Sequence, residues 1–446
     1  MHSERDVSGP VPGVVEGGLT LLWTAAAAVA AFGTWVMFDA LPGINWLLWT
    51  GAAAAGLAAL ARQRGVGGGT VVLTGAAATV IAGAAAVTAS PVLHVLICGS
   101  VIVLLAMQMR LAANPSVHRI SAQFAVTAPL LAFASALAHA IRRAIEATEL
   151  IQSPRARARV RGLAITTPIL IVFALLLAEA DPTFASWRDG VFTLLNWDVV
   201  PRVVFFTALL GLVVGAYGYA SREAHHDSTP TPGNASPTWL GTVVASATVV
   251  LIIVSERYGQ HGTRERFLRM LTFALITAVL LLLGSAFRRV LLYEAAYGYT
   301  TARLYAQAYM TAVAGGLLWL SVEVAGELDA GRLFRRAASV AMLLFVALSY
   351  WNHEAWIAKR NIDRFATSGK LDVAYLANEL SPDAIPAIAE RLPLLPEPMR
   401  SELRRAVQKR YAPRREMTEG RWYEWNLGRV RGKAVFRTVF VIAADD

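Results

Sequence analysis

The stretch YEAAYGYTTARLY, from Tyr293 to Tyr305, places charged and aromatic side chains between two long apolar segments. Arg303 could bind an anionic substrate or pair with a carboxylate, because a cation held among apolar segments needs a partner. Glu294 can be that partner only if the chain breaks at Gly298, since nine residues along one straight helix point the two side chains in opposite directions. Thr300 or Thr301 can cap a helix that starts after such a break.

The alternative interpretation of this stretch is an interfacial belt. Tyr297 and Tyr305 would then lie at headgroup level, and Arg303 would extend towards lipid phosphates. The belt needs no substrate, and the same residues are consistent with either interpretation.

Three carboxylates form a second group of candidate residues, because acids at membrane depth are costly and often functional. Glu179 and Asp181 end an apolar segment, and Asp198 follows in the same loop. The alternative is that they lie just outside the hydrocarbon, where Asp181 and Pro182 start a turn. The candidates for a substrate-binding site or polar core are Glu179, Asp181, Asp198, Glu294, Tyr297, Gly298, Arg303 and Tyr305.

No sequence motif indicates catalysis. The histidines lack the spacing of a metal site, and no GxSxG or other nucleophile–base pattern is present. We therefore expect no catalytic residue, no metal and no cofactor.

The composition predicts a polytopic membrane protein. Of 446 residues, 56% are hydrophobic and only 16% are charged, whereas a soluble domain carries about 25% charge. The net charge of +10 is attributed to loop arginines that set topology and contact anionic lipid headgroups, rather than to nucleic-acid binding. The predicted fold is an all-α transmembrane bundle with a small, helical, soluble C-terminal cap.

The chain divides into five regions. They are an N-terminal tail (1–15), four Ala/Gly-rich transmembrane helices (16–112), an amphipathic or re-entrant segment with an Arg-rich loop (113–161), a transmembrane core with a polar loop at 221–238 (162–352), and a basic helical tail (353–446). Predicted spans are 16–38, 44–61, 70–88, 91–110, 162–179, 202–220, 238–255, 267–287, 303–325 and 334–352.

The segment 121–141 leaves the topology open. It is long enough to cross, but it contains Gln123, Pro129 and His139. The arginines of the loops at 62–69 and 110–119 place the N-terminus in the cytoplasm. With ten spans the C-terminus is also cytoplasmic, which is the preferred prediction; with eleven spans it lies outside. The ten-span count leaves Arg257, Arg264, Arg266 and Arg269 on the outer side as exceptions.

The tail carries helix-start signals. In SPDAIPAI, Ser381 is a predicted cap with Pro382 at the first helical position, and Ile385, Ile388 and Leu392 recur at helical spacing. Asp372 is predicted to start the preceding helix. The tail is expected to pack on the membrane domain, to contact headgroups, or to bind a protein partner.

Four strings in order, ADPTF, YEAAYGYTTARLYAQAYM, NIDRF…LDVAYLANELSPDAIPAI and WYEWNLGRVR, resemble the bacterial membrane proteins of domain-of-unknown-function family 4173 and its sister family 4153. The resemblance covers about 162–435 and implies a multi-helix membrane core with a short helical tail. It carries over no catalytic role. The family pattern includes several of the core residues already named. In the tail it includes a cap motif of Asn361, Arg364, Asp372, Tyr375, Asp383 and Pro386.

Together these observations predict a bacterial inner-membrane protein that is non-enzymatic and either transporter-like or an accessory or sensory component. The alternative is a membrane enzyme acting on lipid-linked or headgroup substrates, with Asp181 or Glu179 as acid/base and Arg303 holding phosphate. A transporter predicts broken helices around a midplane cavity, and an enzyme predicts a cleft at headgroup depth.

Overall fold

The computed structural model describes residues 12–63, 65, 68–113, 122–149, 166, 199–221, 263–326, 329–417 and 420–441. These residues form fourteen α-helices joined by turns and contain no β-strand. The membrane part comprises α1 (Pro12–Met37), α2 (Ile44–Gln63), α3 (Gly68–Ala84), α4 (Pro91–Ala113), α5 (Ala122–Glu149), α6 (Val199–Ala220), α7 (Thr263–Tyr297), α8 (Thr301–Ala325) and α9 (Ala330–Tyr350).

Six of these helices are long and apolar enough to cross a membrane, namely α2, α4, α6, α7, α8 and α9, and α1 and α3 contain shorter apolar segments. The predicted class of helical polytopic membrane protein is therefore confirmed. Two predicted spans lie outside the described residues, namely 162–179 apart from residue 166, and 238–255. The polar loop 221–238 beyond Ser221 also lies outside them. Helix α5, which contains the ambiguous segment 121–141 apart from its first residue, is not among the six.

Lipid-facing surfaces are visible as exposed apolar side chains. Leu281 and Leu282 on α7 are 70% and 71% exposed, and Val95 on α4 is 72% exposed. Water would oppose so much exposed apolar area on a single helix, whereas hydrocarbon chains cover it without cost.

Small residues let the membrane helices approach one another. At Gly215 on α6, a Cβ atom would lie 2.0 Å from the carbonyl oxygen of Ala136 on α5. Contact this close between backbones replaces the hydrophobic driving force, which is absent between helices in lipid.

The cap, residues 353–441, is a small helical unit with its own core. Its helices are α10 (His353–Ser368), α11 (Val373–Asn378), α12 (Ile385–Arg391), α13 (Met399–Tyr411) and α14 (Leu427–Val435). The predicted inward positions Ile385, Ile388 and Leu392 are buried there, and Leu403 and Phe440 pack in the same core.

The cap docks on the turns that join α1 to α2 and α3 to α4. Ile44 donates its backbone N–H to the carbonyl of Trp425 at 2.9 Å. Four successive carbonyls, from Ala85 to Thr88, accept hydrogen bonds from the cap segment 426–428. These carbonyls belong to the turn that follows α3, and the cap supplies their hydrogen-bond donors.

This docking places the cap at the end of the bundle where α1 ends. The cap contacts the end of α1 opposite to the one where α1 begins, so the start of α1 and the cap lie at opposite ends of the bundle. The predicted cytoplasmic position of both termini stays a prediction.

Seven arginines of the described membrane helices lie at the end of the bundle away from the cap. Because α7 runs towards the cap and α9 reaches the cap at its end, their first turns lie at the far end, as do the last turns of α2 and α4. The residues concerned are Arg62, Arg110, Arg266, Arg269, Arg332, Arg335 and Arg336. Two of the exceptions to the ten-span count, Arg266 and Arg269, thus lie at the same end as Arg62 and Arg110.

Candidate functional site

The boundary between α7 and α8 is a sharp break in the chain. Gly298 adopts a φ of +89°, a left-handed conformation that favours glycine. Thr300 then caps α8, with its hydroxyl accepting from the backbone N–H of Arg303 at 3.3 Å. The predicted break and threonine cap are confirmed, and Tyr299 is left between two helices with no helical partner for its backbone.

Three side chains of the cap hold this break. The Asn361 amide accepts from the Tyr299 N–H and donates to the Tyr299 carbonyl, both at 2.8 Å. Arg364 donates to the carbonyls of residues 295 and 296, at 3.0 and 2.5 Å. The Tyr375 hydroxyl accepts from the Thr301 N–H at 2.7 Å. Two groups of candidates that the sequence kept apart thus form one site.

Arg303 and Glu294 do not form the ion pair that the break would permit. The Arg303 guanidinium turns back and donates to the carbonyl of Gly298, and no ion pair joins it to Glu294, which is buried. Tyr305 lies 3.0 Å from the imidazole of His353, measured from its hydroxyl to Nε2. Tyr297, in contrast, is 71% exposed, as the belt interpretation predicts.

A cavity of about 590 Å³ opens beside the break, between α7 and the cap. Its wall carries cationic groups, Arg364 and Lys370, and anionic groups, Asp372 and Glu402. Among the described residues, neither the Lys370 ammonium nor the Glu402 carboxylate has a partner of opposite charge within salt-bridge distance. Asp372 has a structural task, because its side chain accepts from the Tyr375 N–H at 2.9 Å and starts α11 as predicted.

The cavity lies at or above the membrane surface. Arg288 and Arg289 are both exposed and interrupt the apolar part of α7. Tyr297 is nine residues beyond Arg288, which corresponds to about 13 Å along a helix. The site is therefore at headgroup depth or further out, and not at the bilayer midplane.

The three predicted acids, Glu179, Asp181 and Asp198, lie outside the described residues. Their predicted approach to Arg303 stays a prediction.

A second polar cluster lies where the cap meets the turn after α3. Asp383 is 4% exposed, and its Oδ2 accepts from the Thr88 hydroxyl at 2.8 Å and from the Ala89 N–H at 2.7 Å. Burial, reinforced by nearby Glu354, raises the pKa of the Asp383 carboxyl to about 6, against the opposing hydrogen bonds and Arg429. Within the part of the chain that the structure describes, its Oδ1 has no hydrogen-bond partner.

Pro386 and Asp383 line a smaller cavity of about 240 Å³ in this second cluster. Close by, burial lowers the pKa of the His353 imidazole, so that this ring is neutral at physiological pH. Asp383 and Pro386 are thus separated from the cavity at the helix break, although the sequence grouped them with Asn361.

Sequence reasoning missed the residues that dock the cap. Asn426 donates to the carbonyls of Ala85 and Thr88 at 2.8 and 2.6 Å, and it also caps α14. Arg429 donates to the carbonyls of Pro42 and Glu424 at 2.7 and 2.6 Å. An asparagine before the helix-forming run LGRVRGKAV was an available cap signal, but nothing local indicated its distant partners.

The polar groups on the wall of the cavity at the break are cationic, anionic, amide and hydroxyl side chains. The wall of the cavity there contains no histidine, cysteine or serine. Within the described ranges, no cluster of three or more His, Cys, Asp or Glu side chains could hold a metal ion.

The sequence was compared with known protein families. The profile of the family described as Domain of unknown function (DUF4153) matches in two segments, residues 75–255 and 238–391. The resemblance to family 4173 is not confirmed; the match is to the sister family. Comparisons with curated proteins and with solved structures gave no match.

Proposed function

Since the chain belongs to the DUF4153 family, whose function is unknown, we propose that it is a non-enzymatic component of the bacterial inner membrane. It would be transporter-like or an accessory or sensory component, and its ligand site would be the cavity at the α7–α8 break. The observation that carries the proposal is the convergence of Asn361, Arg364 and Tyr375 on this break beside a cavity of about 590 Å³.

The charges of the cavity suggest the class of ligand. Lys370 and Arg364 favour an anionic group, and Asp372 and Glu402 favour a cationic one. A zwitterionic molecule the size of a phospholipid headgroup matches both, and headgroups are abundant at this depth.

Binding without catalysis is supported by how the polar groups are used. Asn361, Arg364 and Tyr375 are engaged with the backbone of the break, and Asp372 caps a helix. General acid–base catalysis needs a group that is free to exchange a proton with the substrate. The enzyme alternative keeps two supporting observations, which are the position of the cavity at or above headgroup depth and the Glu402 carboxylate, which has no ionic partner among the described residues.

The test uses purified full-length protein in detergent and glycerophosphoethanolamine as a soluble zwitterionic probe. We expect the probe to raise the unfolding temperature, because a ligand that binds only the folded state stabilises it. Lys370→Ala should weaken binding by about tenfold, the loss expected for one charge-assisted contact, whereas Lys409→Ala, an exposed lysine of α13 outside the cavity, should bind normally. If the probe leaves the wild-type transition unchanged, the binding proposal fails; conversion of the probe to products would favour the enzyme alternative.

We further propose that the cap lies on the extracytoplasmic side. Cytoplasmic ends of membrane helices are enriched in lysine and arginine. Seven arginines of the described membrane helices lie away from the cap, against four towards it, which are Arg202, Arg288, Arg289 and Arg303. The tail is itself basic, but the rule applies to short loops and not to a segment of this length.

Labelling with a membrane-impermeant maleimide tests this orientation. In a Cys98→Ala background, Lys409→Cys on the cap should react in intact cells. Gln63→Cys, exposed at the other end of α2, should react only after permeabilisation. The reverse pattern would place the cap in the cytoplasm.

A further inference from the structure

A cavity of about 580 Å³ lies where α1 and α6 meet the edge of the cap, apart from the site at the helix break. Arg202 of α6 and Arg421 of the cap line it together with apolar side chains of both helices. Because α1 ends and α6 begins at the cap, the arginines mark the end of the cavity nearest to the cap, and Ala31 and Phe206 lie about one helical turn deeper.

Both guanidinium groups lie over aromatic rings, and Arg421 also donates to the carbonyl of Phe38 at 3.4 Å. Arg202 lies over the Phe38 ring at 5.4 Å, and Arg421 lies over the Tyr423 ring at 5.9 Å. The nearest carboxylate to Arg421 is Asp39, at a long 3.9 Å, and within the described part of the chain no carboxylate lies within salt-bridge distance of Arg202. Stacking on a ring leaves the planar donors of arginine free to bind a phosphate.

Aromatic residues place this cavity at the membrane interface. Trp35 is 55% exposed, and its ring lies 5.9 Å from that of Trp422 and 5.5 Å from that of Tyr423. Amphipathic rings of this kind concentrate where hydrocarbon meets headgroups. Next to Arg202 on α6, Val203 is 54% exposed and belongs to the apolar wall.

We propose that this cavity binds one anionic phospholipid. Its phosphodiester lies between Arg202 and Arg421, and an acyl chain follows the groove between α1 and α6. Charge complementarity selects this occupant, because two cations at headgroup depth above an apolar groove match a molecule with a negative head and a hydrocarbon tail. Since one arginine belongs to the membrane core and the other to the cap, the lipid joins the two parts.

The experiment uses full-length protein in a mild detergent, with phosphatidylglycerol added and bound lipid counted by native mass spectrometry. Wild type should retain one phosphatidylglycerol per chain. The double variant Arg202→Ala/Arg421→Ala should bind it about 100-fold more weakly, with about tenfold for each charge-assisted contact. The matched control is Arg288→Ala/Arg289→Ala, a pair of exposed arginines on α7 outside the cavity, which should bind as wild type does.

Two further measurements keep the proposal falsifiable. Arg202→Ala alone changes no contact of the cap with α1 and should still weaken lipid binding about tenfold. The single variant therefore tests the proposal even if the double variant folds poorly. Phosphatidylcholine, which has the same phosphodiester without net charge, should be retained less well. Equal binding by wild type and Arg202→Ala, or equal retention of the two lipids, would overturn the proposal.

Discussion

The substitution Asn361→Ala tests whether the cap holds the break between α7 and α8. The wild-type amide satisfies both the N–H and the carbonyl of Tyr299, each at 2.8 Å, and Asn361 is 9% exposed. A buried backbone group left without a partner costs about 1–3 kcal/mol. Water from the neighbouring cavity can satisfy part of this need, so we expect a loss of about 2–3 kcal/mol for the two groups together.

The loss is measured as a change in thermal or denaturant-induced unfolding of the full-length protein in detergent. The matched control is Asn378→Ala, an exposed asparagine at the end of α11, which should change stability by less than about 0.5 kcal/mol. A double-mutant cycle with Tyr375→Phe adds a sharper test. That variant removes the bond to the Thr301 N–H, and because both side chains brace the same turn, their effects should couple by about 0.5–1 kcal/mol.

Two results would refute this reasoning. Asn361→Ala could unfold as Asn378→Ala does, which would mean that the break is stable without the cap. Alternatively, the two substitutions could be strictly additive, which would mean that Asn361 and Tyr375 act on separate structures.

Three further predictions concern other contacts. Gly428→Ala should undock the cap and increase its proteolysis, because the new Cβ would lie 1.5 Å from Oδ1 of Asp383; Gly284→Ala, with nothing within 4 Å, should not. The pKa of Asp383 is raised to about 6 from an ordinary 3.8, so the docked state binds the proton of this carboxyl more tightly than the undocked state does. Docking should therefore weaken as pH rises from 4 to 6, by about 3 kcal/mol at most. Proteolysis of the cap measured against pH should show this dependence in the wild type and lose it in Asp383→Asn. Glu323→Gln should lower the unfolding temperature and reduce the free energy of unfolding by about 1–3 kcal/mol. The reason is that the buried carboxylate accepts hydrogen bonds from Arg332 at 2.7–2.9 Å across the α8–α9 hairpin. An unchanged unfolding temperature would contradict this.

Local signals in the sequence predicted the ends of helices well. Thr300, Asp372 and Ser381 each cap the segment that follows them. Their side chains bond to a backbone N–H two or three residues later, so the information lies within one short string. The break at Gly298 was predictable for the same reason, because the glycine and the threonines that follow it are local signals, although side chains of the cap also hold the break.

The sites themselves depend on contacts between distant parts of the chain. Asn361 meets Tyr299 across 62 residues, and Thr88 meets Asp383 across 295. Neither residue type indicates such a distant partner, since asparagine and aspartate occur equally well as helix caps or as solvent-exposed residues. The sequence could therefore place Asn361 and Asp383 in the cap, but it could not show that they serve two different interfaces.

The side of the membrane on which the cap lies illustrates the same limit. Counting spans assigns the C-terminus by parity, so a single ambiguous segment such as 121–141 reverses the answer. A contact between the cap and a membrane helix does not depend on the number of spans counted. Because Asn426 bonds to the carbonyls that follow α3, and Trp425 bonds to the start of α2, the cap must lie at the end of the bundle opposite to Arg62 and Arg110, however many segments cross in between.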